Sequence, residues 1–283
     1  MATIGITDAG STRQALVSSI VQEVLAEKAQ LLPLVTDYSA SAVPGAASLG
    51  VPRRDLFAAA EVSEDASLTG QAMTFSVDTI SFAHYAVRAE ISDMARVQSS
   101  VDIPSEVVKE IGEAMARQAD ALILAQLKLA SSSAPDHLIN FTDSVNYDIE
   151  LADVTGVKRL LRENGKVMMN DDQLFGLISP KQEEYLLNNG NIIDASKYGS
   201  DVVINSGKLA KIYGFNVVVS DLLTDNEAIF FHKSAVGFAA QQSFKLEFDR
   251  DLTKLNDVYV GSGIMGAKVL QAGKRNVFLS SAH

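Results

Sequence analysis

Between residues 72 and 92 the chain alternates apolar and polar side chains with period two. Met73, Phe75 and Val77 interleave with Thr74, Ser76 and Asp78, and Val87, Ala89 and Ile91 interleave with Arg88, Glu90 and Ser92. That pattern specifies β structure with one polar face, as two strands. The stretch ahead of it, SASAVPGAASLGVPRRD at 39–55, is made of small residues and proline and holds nothing that anchors a core. It reads as an extended arm or long loop. The polar segment EVSEDASLTGQ lies between them at 61–71. Residues 46–92 are therefore expected to form a long excursion of strand and turn with little core of its own. A two-stranded ribbon alone is marginal in water, so something must cover it, and a neighbouring subunit is one candidate.

The core must come from elsewhere in the 283 residues, 47% of which are hydrophobic, enough for one large domain or two intimate ones. Residues 12–32 are expected to form an amphipathic helix, with Thr12 as N-cap, Leu16, Ile20, Leu25 and Leu32 on its apolar face, and Pro33 ending it. The strongest helix runs from about Pro104 to Ser131. Asp102 stands at its cap, Pro104 suits its first turn, and Val108, Ile111, Met115, Leu122 and Leu129 recur on one face. A helix of that length is a structural spine. Residues 150–223 then alternate helix and strand. ELADVTGVKRLLREN reads as a helix, QLFGLISP as a buried strand, and PKQEEYLLN as a second helix capped by Ser179 with Pro180 at its first position. NNGNIIDASKYGSD is turn-rich, and GKLAKIYGFNVVVSD delivers a strand after a glycine-marked turn. The remainder reads as strands: AIFFHKSAVGFAAQ, SFKLEFDRD, NDVYVGSG, IMGAKVLQ and NVFLSS. The layout is α+β, without repeats.

Several chemistries are excluded. There is no cysteine, hence no disulfide, thiolate nucleophile or cysteine metal site. The four histidines, His84, His137, His232 and His283, have no second ligand at helical spacing and read as packed or surface residues. No GxSxG elbow occurs. The chain opens MATIGITDAG, so no secretory leader is expected, and no run of about 18 apolar residues marks a membrane span. A net charge of −11 does not favour nucleic-acid binding through the overall field. Asp249, Arg250 and Asp251 read as a turn or a surface ion pair.

One motif invites an enzyme reading. In VYVGSGIMGAKVL, Gly261, Gly263 and Gly266 spell G-x-G-x-x-G after a strand-like run. A dinucleotide fingerprint needs a helix after the third glycine and an acidic residue about 20 positions on. The downstream AKVLQAGKRNVFLSSAH contains no Asp or Glu and is interrupted by Gly273. The glycines are read as a strand-and-turn device for close backbone approach. A dinucleotide-binding oxidoreductase using GSGIMG stays open as the alternative from a different class.

In order of segments the chain resembles the tailed-bacteriophage major capsid proteins of the HK97-like fold. The similarity is carried locally by GKLAKIYGFNVVVSD followed by EAIFFHKSAVGFAAQ, then FKLEFDRDLTKLNDVYVGSGIMGAKVLQAGKRNVFL. The resemblance implies an N-terminal arm (1–45), an extended loop (46–92), a peripheral domain with the spine helix (93–149), an axial domain (150–225), and strands returning through both domains (226–283). It implies a protein that is not an enzyme, with no catalytic residue, cofactor or metal. Copies would self-assemble into hexamers and pentamers of an icosahedral shell enclosing double-stranded DNA without sequence-specific binding. Scaffolding, portal and decoration proteins are implied partners, and the implied location is the virion, assembled in the host cytoplasm. Arg53, Arg54, Phe75 and Arg88 are candidate intersubunit contacts. An encapsulin-like nanocompartment shell shares the fold and is the nearer alternative.

Some members of that family cross-link through a lysine of the extended loop. No lysine lies between Lys28 and Lys109 here. Mature particles boiled in detergent are therefore expected to run as monomer on a gel; a ladder of covalent multimers through this loop would overturn the expectation.

Overall fold

The computed structural model describes residues 29–54, 70, 73, 75–99, 102–132, 136–143, 145–167, 172–188 and 211–281. The helix expected over 12–32 lies almost wholly outside the described residues, as do most of the polar 61–71 segment and the turn-rich segment after 189.

The period-two stretch does form two strands, β3 (Phe75–Ser81) and β4 (Ala83–Ser92), but they do not pair with each other. β3 pairs antiparallel with β2 (Ser48–Arg54), in the segment expected to be arm or loop. β4 instead pairs antiparallel with β11 (Asn256–Val269). So the excursion expected over 46–92 narrows to the β2–β3 ribbon. Residues 83–92 belong to a four-stranded sheet of order β1-β10-β11-β4, with β1 at Thr36–Asp37 and β10 at Val236–Asp251. Phe82 separates the two roles, and its N–H donates to the Ala47 carbonyl at 3.2 Å.

β4 leads through the short helix α1 (Asp93–Gln98) to the spine helix α2 (Ile103–Leu127). Asp102 occupies the cap position, but its side chain makes no cap bond. Val108, Ile111 and Met115 are buried as expected. Beyond them the buried face continues through Ala119, Ile123 and Leu127, whereas Leu122 is only partly buried and Leu129 lies exposed past the helix end. A small Ala119 and a polar Asp120 on that face masked its direction in the sequence. Asp120 is itself buried, and its carboxylate accepts the N–H groups of Gln30 and Leu31 at 2.9 and 3.0 Å. Burial pushes its pKa above the ordinary carboxylate value, against the pull of those backbone donors. The start of the described chain is thus fastened to the middle of the spine.

The second sheet has six strands in the order β5-β12-β9-β6-β8-β7. They are β5 (Leu138–Asn140), β6 (Leu174–Ile178), β7 (Lys211–Ile212), β8 (Phe215–Val219), β9 (Glu227–His232) and β12 (Asn276–Ser280). Its helices are α3 (Leu151–Glu163) and α4 (Pro180–Asn188). The side chains of Glu150 and Asp153 make a reciprocal capping box on α3, and Ser179 Oγ accepts the Gln182 N–H at the start of α4. Both faces of the sheet are covered. Phe230, Val277 and Leu279 pack with Val157 and Leu161 of α3, while Ile229, Phe231 and Phe278 join the cluster around α2. Two-sided burial explains why EAIFFH and NVFLS read as unbroken apolar runs.

Where the ends of α2 and α3 meet β12 lies His137, fully buried. Its Nδ1–H donates to the Asn276 carbonyl at 2.8 Å, which leaves Nε2 to accept from Asn164 Nδ2 at 3.0 Å. Asn276 Nδ2 in turn donates to the Leu127 carbonyl at the end of α2, at 2.6 Å. The ring is neutral: burial lowers its pKa below the ordinary 6.5, against the Asn276 bond and Asp136, while nearby Lys274 adds to the lowering. As pH falls, the unfolded chain takes up this proton first. The stability His137 contributes is complete above pH 6.5 and is lost as the pH drops through the folded value. The thermal midpoint is therefore expected to fall between about pH 7 and about pH 5, less steeply in His137→Gln than in the wild type. Parallel slopes would remove His137 from the pH dependence.

Candidate assembly interface

The ribbon has two unlike faces, set by its register. Leu49 opposite Ile80, Val51 opposite Asp78 and Arg53 opposite Ser76 make the inner face; Gly50 opposite Thr79 and Pro52 opposite Val77, with Phe75 beyond them, make the outer, and the backbone of Arg54 pairs with that of Phe75. Ile80 is completely buried at the base of the ribbon. Toward the tip the outer face is open, with Val77 58%, Phe75 63% and Met73 43% exposed. Arg53 is held on the inner face, where its Nε donates to Ser76 Oγ at 3.0 Å. A protein with two well-buried apolar cores thus leaves a run of large apolar residues open along one face of an arm. Such an exposed stripe marks an interaction surface.

Arg88, the fourth candidate from the sequence, is not on the ribbon. It sits on β4 opposite Val260 and forms an ion pair with Glu90 at 2.6 Å. It lines a shallow cavity of about 610 Å³ with Glu247, Asp249, Val258 and Val260. The structure therefore puts Arg53, Arg54 and Phe75 on the ribbon, with Arg53 on its inner face and Phe75 on its outer, and places Arg88 on a second surface.

What holds the base of the ribbon is the glycine motif. Gly261, Gly263 and Gly266 all lie inside β11, which is continuous over Asn256–Val269. The expected break into strand and turn, and into two short strands, is corrected. The hairpin turn lies earlier, between β10 and β11. After β11 come a short turn and β12, not the helix that a dinucleotide fingerprint requires. The glycines serve close packing on both sides of the strand. A Cβ at position 261 would fall 2.4 Å from Ile111 Cγ2 of the spine helix, and one at 266 only 2.2 Å from the Ser81 carbonyl oxygen. Ser81 is the point where the ribbon turns into the four-stranded sheet. A bulge in β10 helps: register shifts fall between Ala240 and Lys245, and Gln241 Nε2 reaches out to the Val43 and Ala46 carbonyls at 2.7 and 2.8 Å.

A second exposed apolar group was missed by the sequence reading. The β10–β11 turn presents Leu252 and Leu255, and α1 beside it presents Met94 and Val97. The base beneath is clamped by charge. Asp257, 4% exposed, accepts from Arg96 Nη1 at 2.8 Å and from Arg250 Nη1 at 2.9 Å, and Arg250 also binds Asp93. The hydrogen bond from Arg250 holds the Asp93 carboxyl below its ordinary range, and the two carboxylates raise the arginine's pKa. The expected surface pair at 249–251 is thus a four-membered network through Arg250. Its signal was two leucines in an otherwise polar turn, DRDLTKLND.

Among the described residues no group of His, Cys, Asp and Glu is placed to hold a metal ion, and no helix is long and apolar enough to cross a membrane.

Comparison with known proteins gives the family. The model of the phage capsid protein family matches residues 67–276, more than half of the chain, and the chain belongs to that family. Its fold matches a solved structure from Mycobacterium phage Che8 at a TM-score of 0.72 and 16% identity, covering 88% of this chain and 89% of that one. It matches the Cyanophage Pam1 capsid at 0.72 and 13%, covering 90% and 93%. The capsid of Cyanophage P-SCSP1u matches at 0.69 and 19%, covering 87% and 86%. No curated protein matches by sequence. The fold is the α+β, HK97-like capsid fold, and family membership indicates a structural role.

The two glycine sites separate packing from any ligand role. Gly266→Ala is expected to cost about 1–3 kcal/mol, because backbone must shift to admit the methyl. Gly263→Ala is expected to cost much less, since its nearest neighbour is the flexible end of Met115 at 3.3 Å. Denaturant melts of the two variants check the order; the reverse order would contradict the packing role.

Proposed function

We propose that this chain is a major coat protein whose copies gather in hexamers and pentamers and enclose double-stranded DNA. The single observation that carries the assembly reading is the ribbon's outer face: apolar, projecting and, among the described residues, covered by nothing in its own chain. Every copy carries the same arm, so a head-to-tail contact repeats and closes into rings. In this reading residues 1–45 are an arm, 46–92 contain the ribbon that overlies a neighbour, and 93–149 give the peripheral domain around the spine. Residues 150–225 form the axial domain, and 226–283 return through both. Phe75 meets the adjacent copy from the ribbon's outer face, Arg53 and Arg54 contribute from β2 of the same ribbon, Arg88 contributes from the sheet surface, and the β10–β11 turn with α1 offers a further contact. The negative net charge suits a wall that encloses DNA without gripping it. Scaffolding and portal proteins are proposed partners, with assembly in the host cytoplasm and the virion shell as destination.

Electron microscopy with light scattering on the expressed protein, together with the contents of any particles, tests this. Shells holding DNA support the coat reading; shells holding a protein cargo would move it to a nanocompartment of the same fold. Phe75→Asp is expected to leave the monomer folded and to weaken assembly. Burying that ring contributes about 2 kcal/mol, so the concentration needed for assembly should rise about tenfold or more. An unchanged threshold would remove Phe75 from the contact.

A further inference from the structure

The inner face of the ribbon carries a carboxylate, Asp78, whose Oδ2 accepts the backbone N–H of Gln271 at 2.8 Å. The two residues are 193 positions apart. Gln271 opens the turn joining β11 to β12. Gln271, Ala272 and Gly273 have φ of 53°, 53° and 68°. Three successive left-handed residues form a strained turn, since only the glycine adopts that region readily.

The same turn touches the end of the spine. Just before it, the Val269 N–H donates to Gln126 Oε1 of α2 at 3.1 Å. The Gly273 carbonyl accepts the Ser131 N–H at 3.0 Å. A Cβ at Gly273 would lie 2.6 Å from the Leu129 carbonyl oxygen, so the two backbones are in contact. Lys274, next in the chain, lies as close to Gly165 behind α3. The ribbon, the end of α2 and the end of α3 therefore converge on one turn held in an unfavourable conformation.

We propose that Asp78 is a latch: it fixes the ribbon against the body by holding this strained turn, and so couples the ribbon's position to the end of the spine helix. Without the carboxylate, the Gln271 amide loses its acceptor and the left-handed pair relaxes. The backbone at 129–131, which rests on the turn, is then released with it. A ribbon that swings onto a neighbouring copy pulls Asp78 away and produces the same release. Coupling of this kind needs an element with two arrangements that both sites bias; the proposal assigns that part to the turn, left-handed while Asp78 holds it and relaxed once released. The inference rests on reading the ribbon as an intersubunit arm.

Hydrogen–deuterium exchange and limited trypsin digestion of the full-length, unassembled protein test the latch. In Asp78→Ala, exchange is expected to rise about tenfold or more at residues 271–273 and also at 129–131, with faster cleavage at the Arg53–Arg54 bond. Asp78→Asn keeps an oxygen acceptor and should stay close to wild type. Should Asp78→Ala be insoluble, Asp78→Glu, one methylene longer, should show the same pattern more weakly. Faster exchange at 271–273 with no change at 129–131 would reduce Asp78 to a local tether and overturn the coupling, as would no change at either. Sedimentation of the same variants under assembly conditions is a separate readout. If even the wild type forms no particles, the arm reading fails while the exchange result on the latch stands.

Discussion

The molecule depends on how closely other elements can approach one strand. β11 lies between β10 and β4, under the spine helix and against the turn from ribbon to sheet. Removing three side chains from it lets Ile111 seat directly on the backbone at 261 and lets the Ser81 carbonyl cross at 266. Interiors pack at near-crystalline density, and contacts of this kind transmit a shift of one element directly to the next. Spine, sheet and ribbon are thereby one mechanical unit, although the ribbon buries little.

Two environments hold most of the large apolar residues described in this chain. One is the pair of cores on either side of the six-stranded sheet, which hold Phe215, Phe230 and Phe231 completely buried. The other is the open stripe of the ribbon and the leucines of the hairpin turn. The second set gives the folded monomer little stability and exposes apolar surface to water. In a chain of the phage capsid protein family, the economical place for that surface is the contact between copies, where the two halves of an interface resemble a core cut in half. The charge clamp at Asp257 fits the same division, since it stiffens the base of a turn whose leucines stay open to solvent in the monomer.

Much of this was legible in the sequence. The alternation at 73–78 and 87–92 gave both strands, the 3–4 spacing gave the first half of the spine, and Ser179-Pro180 gave a helix start. Partners were harder. β2 is hidden because Gly50 and Pro52 interrupt its pattern, which leaves β4, the neighbour in sequence, as the apparent partner of β3. The second half of the spine's buried face hid behind Ala119 and Asp120. The spacing of the glycines fits a fingerprint; the acid-free, strand-like segment after Gly266 is the signal that decided against one. Asp78 carries no local signal, because its partner is a backbone amide brought near only by the complete fold. Of the four candidate contacts, the ribbon carries Arg53, Arg54 and Phe75, while Arg88 needed the β4–β11 register to be placed.

The borders of the six-stranded sheet bear on how such a chain survives at high concentration. Among the described residues its outermost strands are β5 and β7, three and two residues long. An open strand border is a template on which another chain can add by backbone pairing, and fibres grow that way. Borders this short give an incoming strand almost nothing to copy. Copies crowded together thus find little backbone to stack on at these two borders, and in this sheet the longer strands lie inside.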